Sequence, residues 1–157
     1  MMLYLICLLG AYLFGSLSIA ILICKILNKP DPRTVGSENP GTTNVFRCVG
    51  KLAALLTLVS DVSKGVIPVL VAKALGLPDT LIASVGLAAF CGHLFPLYFR
   101  FKGGKGVATS LGIAYGLNLW LGLLATGTWI LTAMIFRYSS LAALIMAIGL
   151  LGYTHCL

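Results

Sequence analysis

A chain of 157 residues that is 59% apolar and only 10% charged lacks the roughly 25% of charged residues that a soluble domain carries. Long unbroken apolar runs exclude the alternating pattern of a membrane β-barrel, so with a mean hydropathy of +1.03 the expectation is an all-α, polytopic transmembrane bundle of about six spans. The net charge of +7, from 11 basic and 4 acidic residues, favours a basic cytoplasmic face and attraction to anionic lipids or substrates; no nucleic-acid partner is expected.

The first span is 2–27, with Gly10, Gly15, Ser16 and Ser18 as small residues for close helix packing. It is not read as a signal peptide, having no basic residue before Lys25 and no small-residue cleavage site. Residues 28–51 form the one long polar stretch. Between Asp31 and Arg47, two prolines and two glycines forbid a continuous helix. Lys29, Arg33, Arg47 and Lys51 place this stretch inside.

The second span, 52–75, is read as interrupted at Asp61-Val62-Ser63-Lys64-Gly65. The third is 80–99, with His93 and Pro96 near its inner end. Residues 107–136 are apolar for longer than the ~20 needed to cross once. Gly116-Leu117-Asn118 is the best break, giving spans 107–116 and 119–136. Arg137-Tyr138-Ser139 turns inside, and 140–157 is the sixth span. Residues 1–157 thus read as one integral membrane domain, both termini outside and the basic loops inside, Lys73 being the one exception. No internal repeat is visible, against a repeat-built transporter. Cys7, Cys24, Cys48, Cys91 and Cys156 fit no metal site and read as buried free thiols.

Three clusters carry chemical interest. Residues 92–109 join two apolar runs through Gly103, Gly104 and Gly106, with Lys102 and Lys105 among them. Backbone N–H groups in such a turn make an anion-sized concavity, and a helix starting near Val107 aims its positive end there. The spacing is not that of a P-loop, and a plain positive-inside loop has the same composition. Asp61 and Lys64 share a helix face, as a neutralised structural pair or as groups aimed at a bound anion. Gly36-Ser37-Glu38-Asn39 and Gly41-Thr42-Thr43-Asn44 are rich in hydroxyl and amide groups, with Arg47 one turn beyond. They suit phosphate recognition, or else cap the next helix with Asn44 or Thr43 as N-cap. His93 is a candidate general base or a packed, hydrogen-bonded residue. No Ser-His-Asp triad or metal-ligand cluster is seen, and neither Leu97 nor the following Tyr98 is the acid that a His-x4-Asp acyltransferase needs after His93.

The three motifs together resemble one family, the acylphosphate-dependent glycerol-3-phosphate acyltransferases, or PlsY family. The matching positions are Asp31, Arg33, Gly36, Ser37, Asn39, Gly41, Thr43, Asn44 and Arg47; then Asp61-x-x-Lys64-Gly65; then Gly92-His93-x-Phe95-Pro96 and residues 101–109. The resemblance implies acyl transfer from acylphosphate to the 1-hydroxyl of glycerol 3-phosphate. It makes lysophosphatidic acid and phosphate at the cytoplasmic face of a bacterial inner membrane, without metal, cofactor, acyl carrier protein or acyl-CoA. Ser37, Arg47 and Lys105, with His93, are the implied catalytic positions. Arg33, Gly36, Asn39, Thr43, Asn44, Asp61, Lys64, Lys102, Gly103, Gly104, Gly106 and Thr109 are the implied substrate-binding ones. Membrane lipid is the remaining partner, and the substrate's own phosphate is the expected proton acceptor. Ser18 stands where the family often has proline. The family pattern runs on past His155-Cys156-Leu157 into a seventh span and a basic segment with a His and an Asn, for which His155, on the wrong face, is no substitute. The rival from another class is a small anion channel or phosphate carrier.

Overall fold

Residues 1–156 are described by the structure, a computed structural model. Eight α-helices follow in order: α1 Met2–Gly15, α2 Ile19–Ile26, α3 Thr42–Cys48, α4 Lys51–Ala74, α5 Asp79–Leu94, α6 Val107–Leu117, α7 Leu119–Phe136 and α8 Ser139–Cys156. A single 3-10 turn, Leu97–Phe99, follows α5, and no strand occurs among the described residues. Four stretches are long and apolar enough to cross a membrane: Met2–Ile26, Lys51–Ala74, Asp79–Phe99 and Leu119–Phe136. Two shorter apolar helices, Val107–Leu117 and Ser139–His155, accompany them. Leu157, where the sixth expected span ends, lies outside the described residues.

The first span bends rather than running straight. Ser16 Oγ donates to the Tyr12 carbonyl at 2.8 Å, a back-bond that competes with the helix ladder, and α2 restarts only at Ile19. The small residues here divide in use. Gly15 lies against the Ala89 backbone, and Gly92 of α5 against the Tyr12 carbonyl, so α1 and α5 meet main chain to main chain. Gly10 faces open space.

The break expected at Asp61–Gly65 does not form. α4 runs unbroken from Lys51 to Ala74, even through Pro68. Asp61 and Lys64 satisfy each other one turn apart, which removes the reason for the backbone to leave the helix. Gly65 and Gly112 instead let α4 and α6 touch, each with the other helix's backbone where a side chain would begin. Ala11, Val69, Ala72, Ile82, Val85 and Ala89 form the core between α1, α4 and α5. Large residues such as Leu55, Leu87, Ile130 and Ile148 stay exposed, as lipid-facing side chains must.

At Asn118 the chain reverses. Its side chain accepts from the Trp120 N–H at 2.8 Å, capping α7, and Tyr115 and Thr126 bond hydroxyl to hydroxyl at 2.9 Å across the hairpin. From that shared turn α6 runs back for 11 residues and α7 for 18. At 1.5 Å per residue, α6 therefore begins about 10 Å deeper than α7 ends. The glycine loop precedes this shorter helix, with Gly106 buried, Gly103 and Gly104 half-buried, and Lys102 and Lys105 exposed. Lys73, the basic residue on the opposite side, donates to the Leu117 carbonyl at the end of α6, a helix C-terminal cation rather than a breach of the charge rule. Of the described cysteines only Cys24 is buried; Cys7, Cys48 and Cys91 are free and half-buried, which corrects the expectation of buried thiols at those three.

Candidate functional site

One cavity of about 500 Å³ opens where the three basic loops converge, a volume within the usual range for small-ligand sites. Its walls are Ser37, Asn39, Gly41–Asn44 and Arg47 of the polar stretch, Leu58 and Asp61 of α4, His93 of α5, Lys105–Ala108 and Leu111 of the glycine loop and α6, Trp129 of α7, and Arg137–Ser140 with Ala143 at the start of α8.

The first wall is shaped by Asn44. Its Nδ2 donates to the carbonyls of Pro32 at 2.8 Å and Val35 at 3.0 Å, and its Oδ1 accepts from the Ser37 N–H at 3.0 Å. Gly36 has φ +63, and a Cβ there would strike the Asn44 amide. Asn44 thus ties the loop that presents Ser37, and its own amide is spent on backbone. Neither Asn44 nor Thr43 caps α3; Gly41 is the N-cap, without a side-chain cap bond. Ser37, Asn39, Thr43 and Arg47 face the cavity. Arg33 does not. It pairs with Asp31 at 2.7 Å and donates to the Phe99 carbonyl at 2.9 Å, strapping the polar stretch to the turn after α5. Hydrogen bonding from Arg33 holds the Asp31 carboxyl below the usual carboxylate range, and the Asp31 carboxylate in turn raises Arg33.

The glycine loop forms the second wall. Gly103 N–H donates to the Leu94 carbonyl and Gly104 N–H to the His93 carbonyl, both at 3.2 Å. Those two donors close the turn instead of lining the cavity. A Cβ on Gly104 would meet His93 Nε2, so this glycine makes room for the imidazole. Gly106 has φ +78 and is the N-cap of α6, a left-handed position that glycine takes at little cost. Lys105, Gly106, Val107 and Ala108 line the cavity; Lys102, Gly103 and Gly104 do not reach it.

Beneath lies the buried set. Asp61 Oδ1 is 2.8 Å from Lys64 Nζ and 3.5 Å from His93 Nδ1. Asp61 and His93 line the cavity while Lys64 stands behind them. Thr109 is fully buried and outside the cavity, its Oγ1 without a hydrogen-bond partner.

The fourth wall was not anticipated from the sequence: Leu58, Leu111, Trp129, Arg137, Tyr138, Ser140 and Ala143. Arg137-Tyr138-Ser139 had read as a turn, because one cation between two apolar spans is what topology alone demands. The site therefore holds three cations, Arg47, Lys105 and Arg137, and one acid, Asp61, already engaged by Lys64 and His93. Among the described residues no carboxylate pairs with those three cations. Such a basket favours ligands carrying more than one negative charge.

Residues 5–157 match the family described as glycerol-3-phosphate acyltransferase. The chain belongs to that family. Relatives include the glycerol-3-phosphate acyltransferase of Thioalkalivibrio sulfidiphilus (strain HL-EbGR7), 58% identical over 139 residues, 88% of this chain and 68% of that protein. The enzyme of that name from Coxiella burnetii (strain Dugway 5J108-111) is 49% identical over 153 residues, covering 98% and 79%. Among solved structures, the glycerol 3-phosphate form of PlsY (YgiH), an integral membrane glycerol 3-phosphate acyltransferase, superposes with a TM-score of 0.92 at 38% identity, covering 98% of this chain and 76% of that one. Its lysophosphatidic acid form gives 0.89 at 36% identity with the same coverage. The chain is accordingly a multi-pass membrane protein of an acyltransferase family.

Proposed function

We propose that this protein transfers an acyl group from acylphosphate to the 1-hydroxyl of glycerol 3-phosphate, within a single membrane domain whose site faces the cytoplasm of a bacterial inner membrane. The observation that carries the reading is the cavity with three unpaired cations at its polar end and Leu58, Leu111 and Trp129 along its apolar end. Each phosphate brings about −1.5 to −2 charge near neutral pH, so two phosphorylated reactants suit that surplus. Relatives named glycerol-3-phosphate acyltransferase, and a related structure in a lysophosphatidic acid form, support the acceptor and the product.

Chemically, the acceptor hydroxyl oxygen attacks the acyl carbonyl carbon, forming the ester C–O bond. The bond from that carbon to the phosphate oxygen breaks, and phosphate leaves with the electron pair. The hydroxyl proton passes to a phosphate oxygen, as no cavity side chain is a free base: His93 is turned by Nδ1 toward Asp61 and by Nε2 against Gly104. Ser37, Arg47 and Lys105 hold phosphate by charge-assisted bonds, and Asn39 and Thr43 trim the pocket. Asn44, Gly36 and Arg33 position the loop bearing Ser37. Asp61, Lys64, His93, Gly103, Gly104, Gly106 and Thr109 position the loop bearing Lys105. Lys102 adds field from outside. Holding activated reactants together and balancing their charge is the main catalytic contribution.

Membranes bearing the protein, given palmitoyl phosphate and glycerol 3-phosphate, are expected to release inorganic phosphate and form lysophosphatidic acid only when both are supplied. Turnover with palmitoyl-CoA and none with palmitoyl phosphate would overturn the donor assignment. Phosphate flux through the protein in vesicles without turnover would favour a channel.

A further inference from the structure

A second groove, apolar and about 400 Å³ in volume, lies between α2 and α4 and shares no residue with the cavity described above. Ile23, Ile26 and Leu27 wall it on the α2 side, Leu52 and Leu56 on the α4 side. Ala53 also lines it and belongs to a buried cluster with Ala20, Val45 and Ala54, so small side chains leave the depression between the two helices. Its walls face outward, with Ile26 76% and Leu52 71% exposed.

The mouth of the groove is basic. Lys51 lines it. Gly50 beside it is the N-cap of α4, at φ +129 and with no side-chain cap bond, so the positive end of a 24-residue helix opens at the same rim. Lys25 and Lys29 stand exposed at the end of the α2 wall. None of these three lysines joins an ion pair among the described residues, and no acidic residue lines the groove. From Lys51 to Leu56 charge gives way to apolar side chains over about 7.5 Å of helix. Cations above a greasy channel on the lipid-facing surface match a phospholipid, phosphate at the mouth and the upper part of one acyl chain below. The surplus charge selects an anionic lipid, because a choline or ethanolamine head would bring a like charge to three unpaired lysines.

We infer that this groove binds one anionic phospholipid of the bilayer, its phosphate at Lys51 and a chain along Ile26, Leu52 and Leu56. The two walls are the chain entering and the chain leaving the polar stretch between α2 and α4. A lipid seated there holds together the two ends of the segment that carries Ser37 and Arg47. The inference stands apart from the choice of acyl donor.

The test is lipid retention and melting temperature of the purified protein in detergent, with dioleoyl phosphatidylglycerol or dioleoyl phosphatidylcholine added. Native mass spectrometry should show one phosphatidylglycerol kept by wild type, and that lipid should raise the melting temperature where phosphatidylcholine does not. Lys51→Gln should weaken phosphatidylglycerol binding roughly tenfold, the loss of one charge-assisted bond, and Lys51→Arg should keep it. Leu56→Trp fills the groove without touching a charge and should also expel the lipid. Lys51 and Leu56 are both exposed, so neither change disturbs the core; should Lys51→Gln still fail to fold, Leu56→Trp decides. Equal effects of the two lipids on wild type, or phosphatidylglycerol binding that survives Lys51→Gln and Leu56→Trp, overturn the assignment. A dimer in detergent that Leu56→Trp splits would give the groove to a second copy of the chain and overturn it too.

Discussion

Asp61 accepts a 2.8 Å hydrogen bond from Lys64 Nζ, with both side chains almost wholly inside the bundle. A buried pair of this kind contributes little net stability, but halving it strands a charge at a cost of about 3–5 kcal/mol. Lys64→Met is expected to lower the unfolding temperature in detergent sharply. Asp61→Asn combined with Lys64→Met should recover most of the loss. A double variant as unstable as the single would show that the pair is not acting as one neutral unit.

Gly104 and His93 make a second coupled pair. Gly104→Val puts a branched side chain on the imidazole edge, so activity should vanish while the fold survives. Because the harm is done through the ring, the effects of Gly104→Ala and His93→Ala should be strongly non-additive. Near wild-type turnover by Gly104→Val would reduce the loop to a topology signal.

Arg47 and Lys105 line the cavity without a carboxylate partner among the described residues. Losing either should cost about 1.5–3 kcal/mol per charge-assisted bond, or roughly tenfold to hundredfold in kcat/KM. Arg47→Lys should still be impaired, because an ammonium cannot bond in a bidentate way. Silent Arg–Lys swaps at both positions would mean that only positive charge is needed.

Acid should act through Asp31. Its carboxyl is lowered in the folded protein, chiefly by the hydrogen bond from Arg33. A depressed folded value contributes stability above the unfolded carboxylate range, near pH 4, and loses it as pH falls through the lower folded value. The strap from Arg33 to the Phe99 carbonyl should loosen in the same window. Asp31→Asn should flatten the acid limb of a melting-temperature titration; an unchanged limb would remove Asp31 from the account.

The side of the membrane can be tested at Thr34, which is exposed on the polar stretch. A Thr34→Cys variant should resist an impermeant thiol reagent added from the periplasmic side and react once the cytoplasmic side is opened. Ready labelling from the periplasm would invert the topology.

The apolar runs made the helices legible, because burying unsatisfied backbone in lipid leaves no other option. The reversal at Asn118 was legible too, since 107–136 is too long for one span. What stayed hidden depends on pairing through space. The unbroken α4 could not be read at Asp61–Gly65, because a charge inside a span looks like a break until its partner is seen one turn away. The polar stretch and Lys105 announced themselves through glycine, hydroxyl and basic residues. Arg137 and Trp129 did not, since an arginine at a loop and a tryptophan in a span are what any membrane protein shows. The roles of Arg33 and Asn44 also escaped: both look like ligand groups, and both are occupied by the chain's own backbone.

The short α6 has a chemical consequence. Its N-terminus starts about 10 Å short of the level at which α7 ends, so the cavity wall at the start of α6 is lower than the wall at Arg137. Acylphosphate is a mixed anhydride, and water at high concentration competes with any alcohol for its carbonyl. If acylphosphate is the donor proposed above, a lower cavity wall at α6 would hold that carbonyl among side chains and the acceptor rather than in bulk solvent. On the proposed donor chemistry, the stub of helix is expected to favour esterification over hydrolysis.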